Sequence, residues 1–154
     1  METKNLSFLS KFIGSCFYIG YSPIAPGTVA SIAAAISLFF LPKLSIITYF
    51  LTLNILFFVG AVVAEKVAII TKQKDNQIIV IDEWFGMCLA LFLAPKNIFV
   101  YLIALVVFRI FDIIKPMPIL YIENNVPGGL GVMLDDACAG FFTFLIIQIV
   151  TLFF

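Results

Sequence analysis

The chain has 154 residues, of which 63% are hydrophobic and 12% charged, and its nine basic and nine acidic residues cancel. A soluble domain lies nearer half apolar and a quarter charged, so the apolar surplus needs a bilayer as its solvent. A net charge of zero gives no electrostatic case for nucleic acid.

Long unbroken apolar runs, with few alternating segments, point to helices rather than a barrel. The expected fold is all-α: one membrane-embedded domain over 1–154, with about four to five transmembrane or partly re-entrant helices after an N-terminal interfacial helix. Residues 5–19 mix Lys11 and serines with Phe8, Leu9, Phe12, Ile13 and Phe17, a pattern for a helix at the interface. Only four residues separate Lys11 from Cys16, too few for the apolar core of a secretion signal, so this segment is expected to stay in the mature protein. Two prolines and a glycine within 21–27 break the helix, and Thr28 suits the N-cap of the next one. Val29–Leu41 is uncharged, Pro42-Lys43 makes a turn, and Leu44–Ala64 is an uncharged run of membrane-spanning length.

Glu65–Asn76 is the most polar stretch. Asp82-Glu83 opens the apolar run Trp84–Ala94, which Pro95-Lys96 interrupts. Asn97–Phe108 is apolar and leads to Arg109, Asp112 and Lys115, with Pro116 and Pro118 as terminators. Tyr121–Gly131 is expected to be a glycine-containing loop, and Asp135-Asp136 to open the last apolar run, Ala137–Phe154.

Two topologies compete. In one, Pro42-Lys43 and Pro95-Lys96 are outer turns, which leaves Lys4, Lys11, Lys66, Lys72, Lys74, Arg109 and Lys115 inside, seven basic residues against two. In the other, 84–108 is one kinked span that separates Asp82 from Lys115. The positive-inside tendency favours the first. Its weakness is Trp84–Ala94, which at about 16 Å is only a half-span.

The charges gather where apolar runs begin or end. An acidic residue within a membrane helix costs about 2.5–3.5 kcal/mol on insertion scales, so paired acids beside such runs need a reason. Acids at helix starts can be merely topological. Two such pairs with nearby glycines weigh against that, because adjacent carboxylates repel unless a cation lies between them, and Mg²⁺ takes oxygen ligands of this kind. Asp82, Glu83, Asp135 and Asp136 are therefore the catalytic candidates. Asp82, Glu83 and Asp136 are metal ligands in this reading, with Asp112 as an additional one. Arg109, Asp112 and Lys115 share a helix face, either as a salt-bridge stripe or as a basic pair for phosphate with an acid between. Thr28, at a helix N-terminus, is a further anion contact or a plain cap.

The residue inventory narrows the chemistry. Without histidine there is no phosphohistidine route and no histidine-based serine hydrolase. The three cysteines, Cys16, Cys88 and Cys138, lack metal-ligand spacing, and six positions after them stand Ser22, Ala94 and Phe144 rather than the arginine of a cysteine phosphatase. No Asp-x-Asp motif occurs at the candidate acids. Metal-assisted attack of water on phosphorus remains well supplied. The other classes are a small cation-binding transporter or channel subunit and a structural membrane protein. A transport path would place polar groups at mid-membrane, where this chain has little beyond Thr48, Thr52, Asn54 and Thr143.

Four stretches resemble the phosphatidylglycerophosphatase A family, in its order and across nearly the whole chain. They are Ser22-Pro23-Ile24-Ala25-Pro26-Gly27-Thr28, Asp82-Glu83-Trp84-Phe85-Gly86-Met87, Phe108 to Pro118, and Gly128 to Asp136. Ile24 and Met117 stand where the family usually has a bulkier residue. The resemblance implies a Mg²⁺-dependent, multi-pass enzyme of the bacterial inner membrane whose site faces the cytoplasm. It would hydrolyse the lipid phosphatidylglycerophosphate to phosphatidylglycerol and phosphate. Homo-oligomerisation is left open.

Overall fold

The computed structural model describes residues 8–73 and 76–153, and its described residues contain helices and no strand. Among the described residues, seven α-helices follow in order: α1 (Phe8–Gly14), α2 (Pro26–Phe40), α3 (Ile46–Thr71), α4 (Ile81–Ala90), α5 (Ile98–Ile114), α6 (Ile119–Asn125) and α7 (Gly128–Val150). Lys4 and Lys74, counted for the topology, lie outside the described residues.

Helix starts follow local chemistry where a side chain can reach back. Ser45 accepts a hydrogen bond from the Thr48 amide at 3.1 Å, and Asn97 accepts one from the Phe99 amide at 2.9 Å. Other boundaries depart from the sequence reading. The helix expected to be capped by Thr28 begins at Pro26 instead, a residue pre-set for the first helical position, after Ala25 in a left-handed conformation (φ 43°). Thr28 lies inside the first turn. The polar stretch after Ala64 continues α3 as far as Thr71. Part of the expected loop 121–131 is α6, and α7 starts at Gly128, so Asp135 and Asp136 lie in its third turn rather than at its start.

Among the described residues, two helical stretches, Ile46–Thr71 and Gly128–Phe153, are long and apolar enough to cross a membrane. Many large apolar side chains point outward from the bundle, among them Phe40, Ile47, Phe58 and Ile149. On a soluble protein such a surface would drive aggregation, whereas a bilayer accommodates it.

The short α4 sits at the centre. Phe85 and Cys88 join a core with Leu53, Val63 and Val67 of α3 and Met133 of α7. Met87 joins a second core with Ala34 of α2, Val100, Ala104 and Phe108 of α5, and Ile147 of α7. A glycine pair permits the tightest approach: a Cβ on Gly140 of α7 would fall 2.4 Å from the Gly86 carbonyl oxygen of α4.

At one end of the bundle the two Pro-Lys turns meet. Lys96 donates to the carbonyl of Phe39 at 2.9 Å and to that of Leu41, closing the end of α2. The end of α7 reaches the same region, where Gln148 donates to the Phe92 carbonyl at 3.1 Å. The starts of α2, α4 and α7 and the ends of α3 and α5 therefore share the opposite end.

Candidate active site

The acids converge at that opposite end. Asp82 and Glu83 occupy the first turn of α4, where the helix dipole favours negative charge and no N-cap side chain is supplied. Asp136 reaches them from the third turn of α7, at a depth set by the Gly86–Gly140 contact. One carboxylate oxygen from each of the three residues lies within 4.8 Å of the others, and Asp82 and Asp136 are buried.

This trio has the character of a cation site. Its donors are all hard carboxylate oxygens, the set that suits Mg²⁺. Glu83 Oε2 and Asp136 Oδ2 are buried without a hydrogen-bond partner, an arrangement costly for anions unless a cation or proton occupies the gap. Asp112 is not among the three, but its charge acts on both Glu83 and Asp136, which places it beside the trio.

Arg109 and Asp112 form the ion pair that their i, i+3 spacing suggests, with Nη1 2.5 Å from Oδ2. The contact is close rather than well aligned. Arg109 Nη1 and Nε are both buried and find no acceptor in hydrogen-bond geometry, so the guanidinium keeps donors to offer. It lies near Glu83 at the start of α2: a Cβ on Gly27 would meet Glu83 Oε1 at 2.1 Å and Arg109 Nη1 at 3.3 Å. Glycine at 27 is what lets α2 approach the acid and the base together. Thr28 is half-buried beside it.

Lys115 and Asp135 form a second cluster. Lys115, the left-handed C-cap of α5, donates to Asp135 at 2.9 Å and to Glu123 of α6 at 2.7 Å. Partial burial by itself would lower the affinity of this ammonium for its proton. The hydrogen bonds and charges of Glu123 and Asp135 outweigh that and hold its pKa above the ordinary lysine value. Asp135 and Asp136 are neighbours in sequence, but a helix turns about 100° per residue, and the two acids serve different clusters.

Two residues outside the expected set belong to this end of the molecule. Glu123 is the second partner of Lys115, and Glu65 of α3 accepts a hydrogen bond from the Gly129 amide at 2.6 Å. The signal for Glu65 was its place directly after a 21-residue uncharged run; Glu123 carried none. A cavity of about 350 Å³ lies at the far end, lined by the two Pro-Lys turns, and holds no carboxylate.

The chain matches the phosphatidylglycerophosphatase A family over residues 12–151. It is 38% identical to a Bacteroides thetaiotaomicron protein with the provisional description phosphatidylinositol-3-phosphatase, over 95% of this chain and 96% of that one. It is 37% identical to phosphatidylglycerophosphatase A of Escherichia coli, over 80% of this chain and 73% of the relative. With phosphatidylglycerophosphatase A of Haemophilus influenzae the identity is 30%, over 80% and 77%. No solved structure matches.

Proposed function

The chain belongs to the phosphatidylglycerophosphatase A family, and from that premise we propose that it hydrolyses phosphatidylglycerophosphate to phosphatidylglycerol and phosphate in phospholipid synthesis. The observation that carries the site is the meeting of Asp82, Glu83 and Asp136 beside Arg109.

In this reading Asp82, Glu83 and Asp136 hold Mg²⁺, with Asp112 as an outer acid that also orients Arg109. The ion, when bound, supplies Lewis acidity toward the phosphoryl group and makes a bound water more acidic. The protein supplies the rest. Arg109 directs its unmatched donors at phosphoryl oxygens, where a planar fork suits the geometry. Lys115 contributes a point charge nearer the membrane surface. Asp135 and Glu123 hold it there, and the incoming phosphate competes with Glu123 for it. The Thr28 hydroxyl is a secondary phosphate contact. A carboxylate oxygen of the trio that does not hold the ion would accept the proton of the attacking water and return it to the glycerol oxygen as its bond to phosphorus breaks.

The site is proposed to face the cytoplasm. Four to five helices enter the membrane: α2, α3, α5 and α7 cross it, α4 is partly re-entrant, and α1 lies at the interface. The Lys96 contacts to α2 support this, because they hold both Pro-Lys turns at the end away from the acids. The positive-inside tendency supports this orientation.

Phosphate release by the purified protein in mixed micelles with Mg²⁺ tests the assignment, with phosphatidylinositol 3-phosphate as comparator because of the Bacteroides relative. Faster turnover of phosphatidylglycerophosphate is expected. The reverse order contradicts the substrate assignment and leaves the phosphomonoesterase site intact.

A further inference from the structure

The glycine-rich start of α7 has the look of a phosphate cradle, since helix N-termini offer free amides to anions. Its first turn is already engaged. Glu65 Oε2 accepts from the Gly129 amide at 2.6 Å, and α7 has no capping side chain of its own after Pro127. The glycines have a different use. A Cβ on Gly129 would fall 2.1 Å from the Ala61 carbonyl oxygen and 2.4 Å from the Glu65 amide nitrogen, so the backbone of α7 lies directly on α3. A Cβ on Gly128, which is left-handed at φ +69°, would strike Glu65 Oε2 at 2.1 Å.

We propose that Glu65 is a positioning residue for the phosphatase site: it caps α7 from α3 and fixes the depth and rotation at which α7 presents Asp136. Three features carry this. The cap comes from another helix, so it sets the register between helices as well as ending one. The acid sits about 30 Å along α3 from Ser45, at the polar edge of the hydrocarbon on the side of the site. There a carboxylate facing a helix N-terminus gains from the dipole as well as from the hydrogen bond. Finally, α7 has close glycine contacts at Gly129 and at Gly140 that flank Asp136, so loosening the first frees the segment that carries the acid.

The inference rests on the reading of Asp136 as a site residue, and the test separates the two. Glu65→Ala, Glu65→Gln and Asp136→Asn are compared in the full-length protein. Turnover of phosphatidylglycerophosphate is measured, and Mn²⁺ binding is followed by electron paramagnetic resonance. Glu65→Ala should lower kcat and weaken Mn²⁺ binding by about tenfold or more with little change in KM, the scale of loss seen when a ligand's supporting partner is removed. Glu65→Gln should lose clearly less than Glu65→Ala, because its amide oxygen still accepts from Gly129 although the charge facing the α7 dipole is gone. Unchanged kcat and Mn²⁺ binding in Glu65→Ala, beside their loss in Asp136→Asn, would overturn the inference. So would a folded Glu65→Gln that loses as much as Glu65→Ala, since the hydrogen bond to Gly129 would then contribute nothing. Full activity and Mn²⁺ binding in Asp136→Asn would instead overturn the site.

Discussion

Lys115 and Asp135 are joined across 20 residues of chain, Nζ to Oδ2 at 2.9 Å, and the contact ties the end of α5 to the third turn of α7. With Glu123 as its other partner, the lysine is placed but not saturated, since an ammonium has three donors.

Removing that charge tests its role. Lys115→Met should lower kcat/KM for phosphatidylglycerophosphate by about 10- to 100-fold, the scale of a charged hydrogen bond worth about 1.5–3 kcal/mol. Most of the loss should appear in KM, because the phosphate is charged before and during the reaction. Normal kcat and KM in steady-state assays would make the lysine purely architectural. Arg109→Met, removing buried donors beside the acids, should act mainly on kcat.

The same pairing has a pH signature. The folded-state pKa of Lys115 is raised above its ordinary value of 10.5, so the stability it confers is present below that value. It is lost as pH rises through the raised folded value. Thermal unfolding in detergent should therefore show wild type losing stability in strong alkali relative to its neutral plateau, and Lys115→Met losing less. Parallel curves for the two proteins would count against the pairing.

Gly140→Ala addresses the helix contact that sets the depth of Asp136. The new Cβ would meet the Gly86 carbonyl oxygen at 2.4 Å, and backbone cannot swing aside as a flexible side chain can. A loss of about 1–3 kcal/mol is expected, as for other overpacked cores, visible as a lower unfolding temperature. An unchanged midpoint would mean that α4 and α7 separate without cost.

Single cysteines at positions 76 and 125 should react with an impermeant thiol reagent from the cytoplasmic side, and one at position 43 from the opposite side. Labelling of 76 and 125 from opposite sides would break the one-face arrangement on which the site depends.

Much of this was legible in the sequence because lipid leaves a coarse trace. The apolar run to Ala64, the Pro-Lys turns and the Arg109–Asp112 pair follow from composition and helical spacing alone. The start of α7 did not, because Gly128, Gly129 and Gly131 have the local preferences of a loop. Their helix is secured by Glu65, 64 residues away from the amide it receives, and by the close approach of α3. The four expected acids likewise split into a trio and Asp135, since sequence adjacency conceals the rotation between neighbours. Thr28 was displaced as a cap because Pro26 starts the helix earlier.

In the proposed mechanism Asp82, Glu83 and Asp136 form one cation site that carries the reaction. Asp136→Asn tests it most directly, because it keeps the shape of the side chain and removes a buried charge. Phosphate release from phosphatidylglycerophosphate should be measured for wild type and variant across a Mg²⁺ titration, with folding checked by thermal unfolding in detergent. The expected result is a folded variant whose turnover at saturating Mg²⁺ is lower by about 100-fold or more, a loss of roughly 2.7 kcal/mol in transition-state stabilisation. A folded variant with near-wild-type turnover at saturating Mg²⁺ would contradict it.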